Sequence, residues 1–217
     1  MCGRFMRSST REQIAGPFRV RVFDEFDCSY NIAPSESVLV VDSEHIGRNM
    51  KWGLIPSWSK DSKKFFINAR AETVASKPSF RDSYKSRRCL VVANGFYEWK
   101  KETDGSKQPM FIQLKDGVVF GFAGIWDCWQ KGDQPVYSCS ILTTEPNGLL
   151  KDIHNRMPVI LADDEYETWL NQATLQRGLD NLLKPFPEAL MEAWAVSTKV
   201  NSPRFKEASC MRPLEAS

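Results

Sequence analysis

The chain has 217 residues, 42% hydrophobic and 26% charged, with a net charge of +2, the make-up of a soluble globular protein with a well-buried core. No apolar run approaches the ~18 residues that cross a bilayer, and no apolar leader opens the chain, so a soluble, cytoplasmic protein is expected, with no membrane partner. The six cysteines (2, 28, 89, 128, 139, 210) are scattered and only two histidines, His45 and His154, accompany them, which excludes a short-spaced zinc site, disfavours a disulfide framework and leaves buried free thiols.

In chain order, "SSTREQIAG" reads as a short helix with a Ser/Thr cap and a glycine stop. Strands follow at 37–42, 49–54 and 65–71, then a helix in "KPSFRDSYK" with a proline near its start. The long β-like stretch 88–101 contains Asn94-Gly95, a strong turn signal. Strands at 109–114, 118–129, 136–144 and 157–161 are separated by the turns "TDGS", "KDG" and "KGDQP". "EPNGLLKDI" is a helix with Thr144 as its candidate cap, and "DDEYETWLNQ" and "ATLQRGLDNLLK" are the last two. Strands outnumber helices without alternating with them, which predicts an α+β fold: a mainly antiparallel, curled or barrel-like sheet with a few peripheral helices. With no repeats or low-complexity linker, residues 1–217 form one expected domain, with the tail from about residue 206 peripheral.

Charge is unevenly spread. Residues 60–101 carry eleven Lys/Arg against four Asp/Glu, a local charge of +7. This is either a solvated lysine-rich face or a polyanion site, with phosphodiester favoured over membrane because no amphipathic anchor helix accompanies it.

Five stretches could carry chemistry. "MCGRF" places a thiol at Cys2, Gly3 for close backbone approach and the permanent cation Arg4 two residues on. If Met1 is removed, Cys2 carries a free α-amine beside its thiol. "INARAET" (67–73), read as a strand, puts Asn68, Arg70 and Glu72 on one face; this is a phosphate-binding edge or an exposed polar face. In "FYEW", Glu98 lies between Tyr97 and Trp99, where desolvation would raise its pKa, unless it faces solvent. "DIHNRMPVIL" (152–161) sets His154 beside Arg156 before a strand, as a proton-transfer residue or a structural histidine. "WGLIPSW" (52–58) offers two tryptophans, as core packing or as a platform for unpaired bases. His45 reads as a surface-loop residue.

The ordered set "MCGRF", "YNIAPS", "KWGLIPSW", "NARAET", "RRCLVVANGFYEW", "FAGIWD", "TTEPN" and "IHNRMPVIL" resembles the SRAP (SOS response-associated peptidase) family over nearly the whole chain. The resemblance implies a basic groove, capture of abasic sites in single-stranded DNA, and no cofactor or metal; a monomer, associated with the nucleoid through DNA, is expected. It further implies Cys2 as the nucleophile after loss of Met1, Asn68 as positioner of the amine, and Glu98 and His154 as proton handlers. Arg4, Arg70 and Arg156 would bind phosphates, with Trp99 a further DNA contact. Two other readings remain: a cysteine peptidase using Cys2, His154 and Glu98 or Asn68, and a non-covalent single-stranded-DNA binder that would not need Cys2.

Overall fold

The structure, a computed structural model, describes residues 2–214. Met1 and residues 215–217 lie outside the described residues. The N-terminal half supplies β1 (Phe5–Arg7), α1 (Arg11–Ala15), β2 (Val22–Phe23), β3 (Ser29–Ile32), β4 (Ser37–Val41), β5 (Ile46–Trp52), β6 (Asn68–Arg70), α2 (Arg81–Ser86), β7 (Arg88–Ala93) and β8 (Gly95–Lys101). The C-terminal half supplies β9 (Lys107–Leu114), β10 (Phe120–Trp129), β11 (Val136–Thr144), α3 (Gly148–Lys151), β12 (Met157–Pro158), β13 (Ile160–Leu161), α4 (Tyr166–Leu170), α5 (Gln176–Asp180) and β14 (Met191–Ala195).

Strands β5, β4, β7, β10 and β11 pair in that order. Parallel pairing of Ser138 with Lys51 and Cys139 with Trp52 joins β11 back to β5 and closes a five-stranded barrel. The expected α+β fold with a mainly antiparallel, barrel-like sheet and short peripheral helices is the one observed. Strand alternation explains its two cores. Val38 and Val40, Met50 and Trp52, Cys89, Val91 and Ala93, Phe120 and Phe122, and Cys139 and Ile141 point into one cluster, the barrel interior. The intervening Leu39, Val41, Leu90, Val92, Ala123, Ile125 and Leu142 point outward. There they are covered by Ile14 of α1, Tyr84 of α2, Tyr166 and Trp169 of α4 and Leu179 of α5. Fully burying each Val, Leu, Ile, Phe or Met side chain among them contributes about 1.5–3 kcal/mol.

A second, antiparallel sheet runs β14-β9-β8-β1-β3. Phe5, Phe96 and Ile112 on one face join the barrel interior; Met6, Tyr97 and Phe111 on the other pack with Val196, Val200 and Cys210. The segment beyond β14 folds back on this sheet, with Trp194 Nε1 donating to the Met211 carbonyl at 2.7 Å and the Leu214 amide to Ala195 at 2.9 Å.

Three local expectations are corrected. Asn94-Gly95 makes no turn: the chain passes from β7 in the barrel straight into β8 in the second sheet, with Asn94 as the single joint. Its side chain accepts from the Ser8 and Ser9 amides and donates to Ser9 Oγ. Gly95 is extended backbone; a Cβ there would lie 2.3 Å from the Phe111 ring, so the glycine serves close strand packing. Helix α3 is capped by Asn147, whose side chain accepts the Leu150 amide, and not by Thr144, which belongs to β11. The strand in "INARAET" ends at Arg70, so Glu72 sits in a 3-10 turn, off the face shared by Asn68 and Arg70.

Candidate active site

Four segments converge where the two sheets meet. The N-terminal segment runs beside β8, with Phe5 opposite Phe96 and the Tyr97 amide donating to the Arg4 carbonyl at 2.9 Å. This register brings Cys2 to the level of β8 just past Tyr97 and buries it completely in the barrel-side core. On the barrel side, β11 carries a short strand on each flank. β6 pairs with it in parallel, Asn68 opposite Ile141, and β12 pairs antiparallel, Met157 opposite Thr144. Asn68 and the His154 loop therefore hang from opposite edges of the same strand.

The two sheets are tied at Cys2. Asn68 Nδ2 donates to the Cys2 carbonyl at 2.8 Å. Asn68 Oδ1 is buried and finds no hydrogen-bond partner among the described residues, leaving an unfilled acceptor beside Cys2. Burial pushes the Cys2 thiol far up, and the charge of Glu98 adds to the rise. At neutral pH this sulfur is a thiol and not a thiolate.

Glu98 is itself only 2% exposed. Desolvation raises it to about 7, so the carboxyl exchanges protons near neutrality. Strand alternation sends Trp99 to the opposite face of β8. There its Nε1 donates to Asn201 Oδ1 at 2.7 Å, and the Arg4 guanidinium stands 5.9 Å from the ring centroid. Arg4 is buried and donates from Nη1 to Asn31 Oδ1 and to the Val200 carbonyl, each at 2.8 Å. The Asn31 amide group reaches the carbonyls of Val200, Ser202 and Phe205. Arg4 and Trp99 thus form a braced pair of their own, behind the strand that carries Glu98.

His154 follows α3, its amide bonded to the Leu150 carbonyl at 2.8 Å. Its Nδ1 accepts the Arg156 amide at 3.0 Å. An amide N–H can only donate, so the neutral ring carries its proton on Nε2. The Arg156 carbonyl lies 3.2 Å from the same Nδ1 and can accept from it once the ring is protonated. Burial, with surrounding positive charge, lowers the His154 pKa and favours the neutral form. Arg156 turns away from the ring: Nη1 and Nη2 grip the Glu72 carboxylate at 2.6 and 3.0 Å, and Nη2 also reaches Thr143. Of the three arginines, Arg70 alone is exposed.

The basic stretch is less uniform than its charge suggests. Arg88 is buried, donating to the carbonyls of Trp169, Tyr84, Lys85 and Asn171, so it serves the fold. The exposed part carries Lys60, Lys63 and Lys64 between Trp58 (56% exposed) and the half-exposed Phe65 and Phe66. "WGLIPSW" divides accordingly: Trp52 is core, with Nε1 on the Ile67 carbonyl, and Trp58 is surface. Gly53 permits the break between them, because its φ of +136° and the Phe65 ring against it both exclude a side chain. His45 lies on a different surface, bonded to Phe18 and Glu167.

Sequence reasoning gave no role to Asn31 or Asn201 and placed Glu72 on the wrong face. A fully buried asparagine between Tyr30 and Ile32 in a strand was the available signal. Among the described residues no group of three or more His, Cys, Asp or Glu could hold a metal, and no helix is long and apolar enough to cross a membrane.

The family model for SOS response associated peptidase (SRAP) matches residues 1–203. The chain belongs to the SRAP family. It is 44% identical over 222 residues to the abasic site processing protein YoaM of Bacillus subtilis, covering 97% of each. It is 35% identical to the abasic site processing protein HMCES of Gallus gallus, over 86% of this chain and 66% of that one. A crystal structure from Bacteroides thetaiotaomicron superposes with a TM-score of 0.89 at 29% identity, covering 98% of this chain and all of the other. In this SRAP chain, then, Asn68 and Glu98 both act on Cys2, with His154 in the loop before β12 and Arg4 and Trp99 behind.

Proposed function

We propose that this protein processes abasic sites in single-stranded DNA by capturing them covalently through Cys2. The observation that carries the reading is the setting of Cys2: it is buried against a carboxyl poised near neutrality, and its main chain is held by Asn68. The relatives named abasic site processing proteins point to the same substrate.

The chemistry starts with hydrolysis of the Met1–Cys2 peptide bond, which turns the Cys2 nitrogen from an amide into an amine. An α-amine, with a pKa of about 7.7–8.0, is neutral at pH 7 far more often than a lysine at about 10.4. Its lone pair attacks the aldehyde carbon of the ring-opened deoxyribose. Proton transfer and loss of water from the carbinolamine give a Schiff base. The Cys2 sulfur then adds to the same carbon, its proton goes to base, and a five-membered thiazolidine closes. Aldehyde, amine and thiol are consumed and one water is released. Ring closure removes the iminium that would acidify the neighbouring carbon, which diverts the sugar from β-elimination and strand cleavage.

The residues have matching tasks. His154 presents its Nε2–H to the sugar ring oxygen and, as the imidazolium with Nδ1–H on the Arg156 carbonyl, protonates it as the aldehyde opens. Glu98, with a pKa of about 7, gives a proton to the departing hydroxyl and takes one from the thiol. Asn68 holds the main chain at Cys2 and offers Oδ1 to the new amine. Arg70 binds phosphate directly; Arg4 and Arg156, each with one edge already occupied, add charge and their remaining N–H groups. Trp99, over Arg4, is the further DNA contact. Trp58, Phe65 and Phe66 give unpaired bases a stacking surface. The raised thiol pKa supports amine-first capture over the peptidase reading, which starts from a thiolate.

The test is a heat- and denaturant-resistant adduct between Met1-free protein and an abasic single-stranded oligonucleotide. Wild type is expected to form it and Cys2→Ser to form none. Undiminished adduct from Cys2→Ser overturns the aminothiol chemistry, and salt-sensitive binding without adduct favours the simple binder.

A further inference from the structure

Glu72 has no part in the chemistry above, yet it is joined to it by an unbroken series of contacts. Its carboxylate receives both terminal nitrogens of Arg156, at 2.6 and 3.0 Å. This is a two-pronged grip with defined geometry, where a single contact would leave the guanidinium free to pivot. Nη2 of the same guanidinium also reaches the Thr143 carbonyl, so Arg156 is fixed against both β11 and the turn that follows β6. The main chain of Arg156 in turn meets the His154 ring at Nδ1. Its amide donates to Nδ1 of the neutral imidazole at 3.0 Å, and its carbonyl stands 3.2 Å from the same nitrogen. The segment between α3 and β12 is irregular backbone, with the Ile153 and His154 amides on the Leu150 carbonyl.

We infer that Glu72 is a positioning residue for His154: by holding Arg156 it fixes the imidazole with its proton on Nε2. The consequence is a division of labour within "NARAET". Asn68, at one end, holds the Cys2 main chain; Glu72, four residues on, holds the histidine. One short strand and its turn thereby set the relative placement of nucleophile and proton donor. Small errors in such placement can slow a reaction by about a hundredfold. The inference also assigns Glu72 a cost, because its negative charge offsets Arg156 beside a surface that would bind phosphates.

Removing that charge should therefore do two opposite things. In Glu72→Gln, single-turnover capture of an abasic oligonucleotide should slow by about tenfold or more. Affinity for the intact single strand should hold or rise, and its salt dependence should steepen by about 0.7 in log–log slope. In an Arg156→Gln background, Glu72→Gln should slow capture no further, since its effect passes through Arg156. The Glu72 side chain is half exposed, so the variant should fold, which a melting temperature within about 2 °C of wild type checks.

A second readout does not depend on the capture reaction, on which the kinetic arm rests. The chain has two histidines, and nitrogen-15 spectra of the imidazole rings distinguish their tautomers. Wild-type His154 should show the Nε2–H tautomer, and Glu72→Gln should show an averaged ring, with His45 unchanged as the internal reference. Identical His154 spectra in the two proteins overturn the inference. So do an unchanged capture rate, capture and binding lost in equal proportion, or additive losses in the double variant. If wild type forms no adduct, the proposed function fails, and the ring spectra still decide the role of Glu72.

Discussion

Two glutamates stand on either side of the candidate site, and their surroundings push them in opposite directions. Glu98, on β8, is enclosed by the core of the barrel side, and desolvation lifts its carboxyl to about 7. Glu72, in the turn after β6, is half exposed, and the Arg156 fork lowers its pKa. One becomes a group that can give and take a proton at neutral pH; the other stays a carboxylate and can only hold a cation. The residue type is the same, and deep burial of one against the exposed arginine fork on the other decides the role.

The contrast can be broken at three levels of effect. Glu98→Gln keeps the shape and removes the exchangeable proton, so capture should fall by about 10²–10⁴-fold in single-turnover assays with denaturing gels. Unlike Glu72→Gln, it should leave the salt dependence of single-strand binding unchanged. A Glu98→Gln protein that captures as fast as wild type would remove the carboxyl from the mechanism.

Stability provides the second level, and the signs differ. Glu98 has a folded pKa above its unfolded value, so its contribution is fully present below about pH 4.5 and is lost as pH rises through about 7. Above that, burying the carboxylate costs about 3 kcal/mol, from 1.36 kcal/mol per pKa unit. Glu98→Gln should accordingly be more stable than wild type in urea melts at about pH 8.5 and close to it at about pH 4. Equal midpoints at both pH values would show that Glu98 is not desolvated in the folded protein.

The smallest effect belongs to Glu72. Its depressed pKa contributes stability above the unfolded value, lost as pH falls through the folded one. Because the side chain is half exposed, solvent screening limits the pair to about 0.5 kcal/mol. Glu72→Gln should lose roughly that at pH 7 and nothing after acid has protonated the carboxylate. A loss of several kcal/mol would make it a structural residue.

How much of this was legible in the sequence depended on the range of the interaction. Strand alternation and the turns "TDGS", "KDG" and "KGDQP" gave the barrel-like, mainly antiparallel fold, because hydrophobic pattern and turn chemistry are local. Asn94-Gly95 misled for the same reason. Its residues carry a turn signal, but the Asn94 side chain bonds Ser8 and Ser9, more than eighty positions away. Period-two reasoning placed Asn68 and Arg70 on one face and failed at Glu72, where the strand ends and Arg156 waits from a distant segment. The charge count over residues 60–101 could not reveal that Arg88 is spent on four main-chain carbonyls. Arg4 and Trp99 stand out in the sequence, but their bracing by Asn31, Val200 and Asn201 depends on a chain reversal that no short window contains.

The central claim is that Cys2 works as a terminal aminothiol. The most direct measurement is the intact mass of the purified protein, alone and after incubation with abasic single-stranded DNA. Protein lacking Met1 should convert to a species heavier by the oligonucleotide less one water, stable to denaturation and absent with Cys2→Ser. An adduct of that mass on protein that keeps Met1, or no adduct on protein that has lost it, would contradict the account.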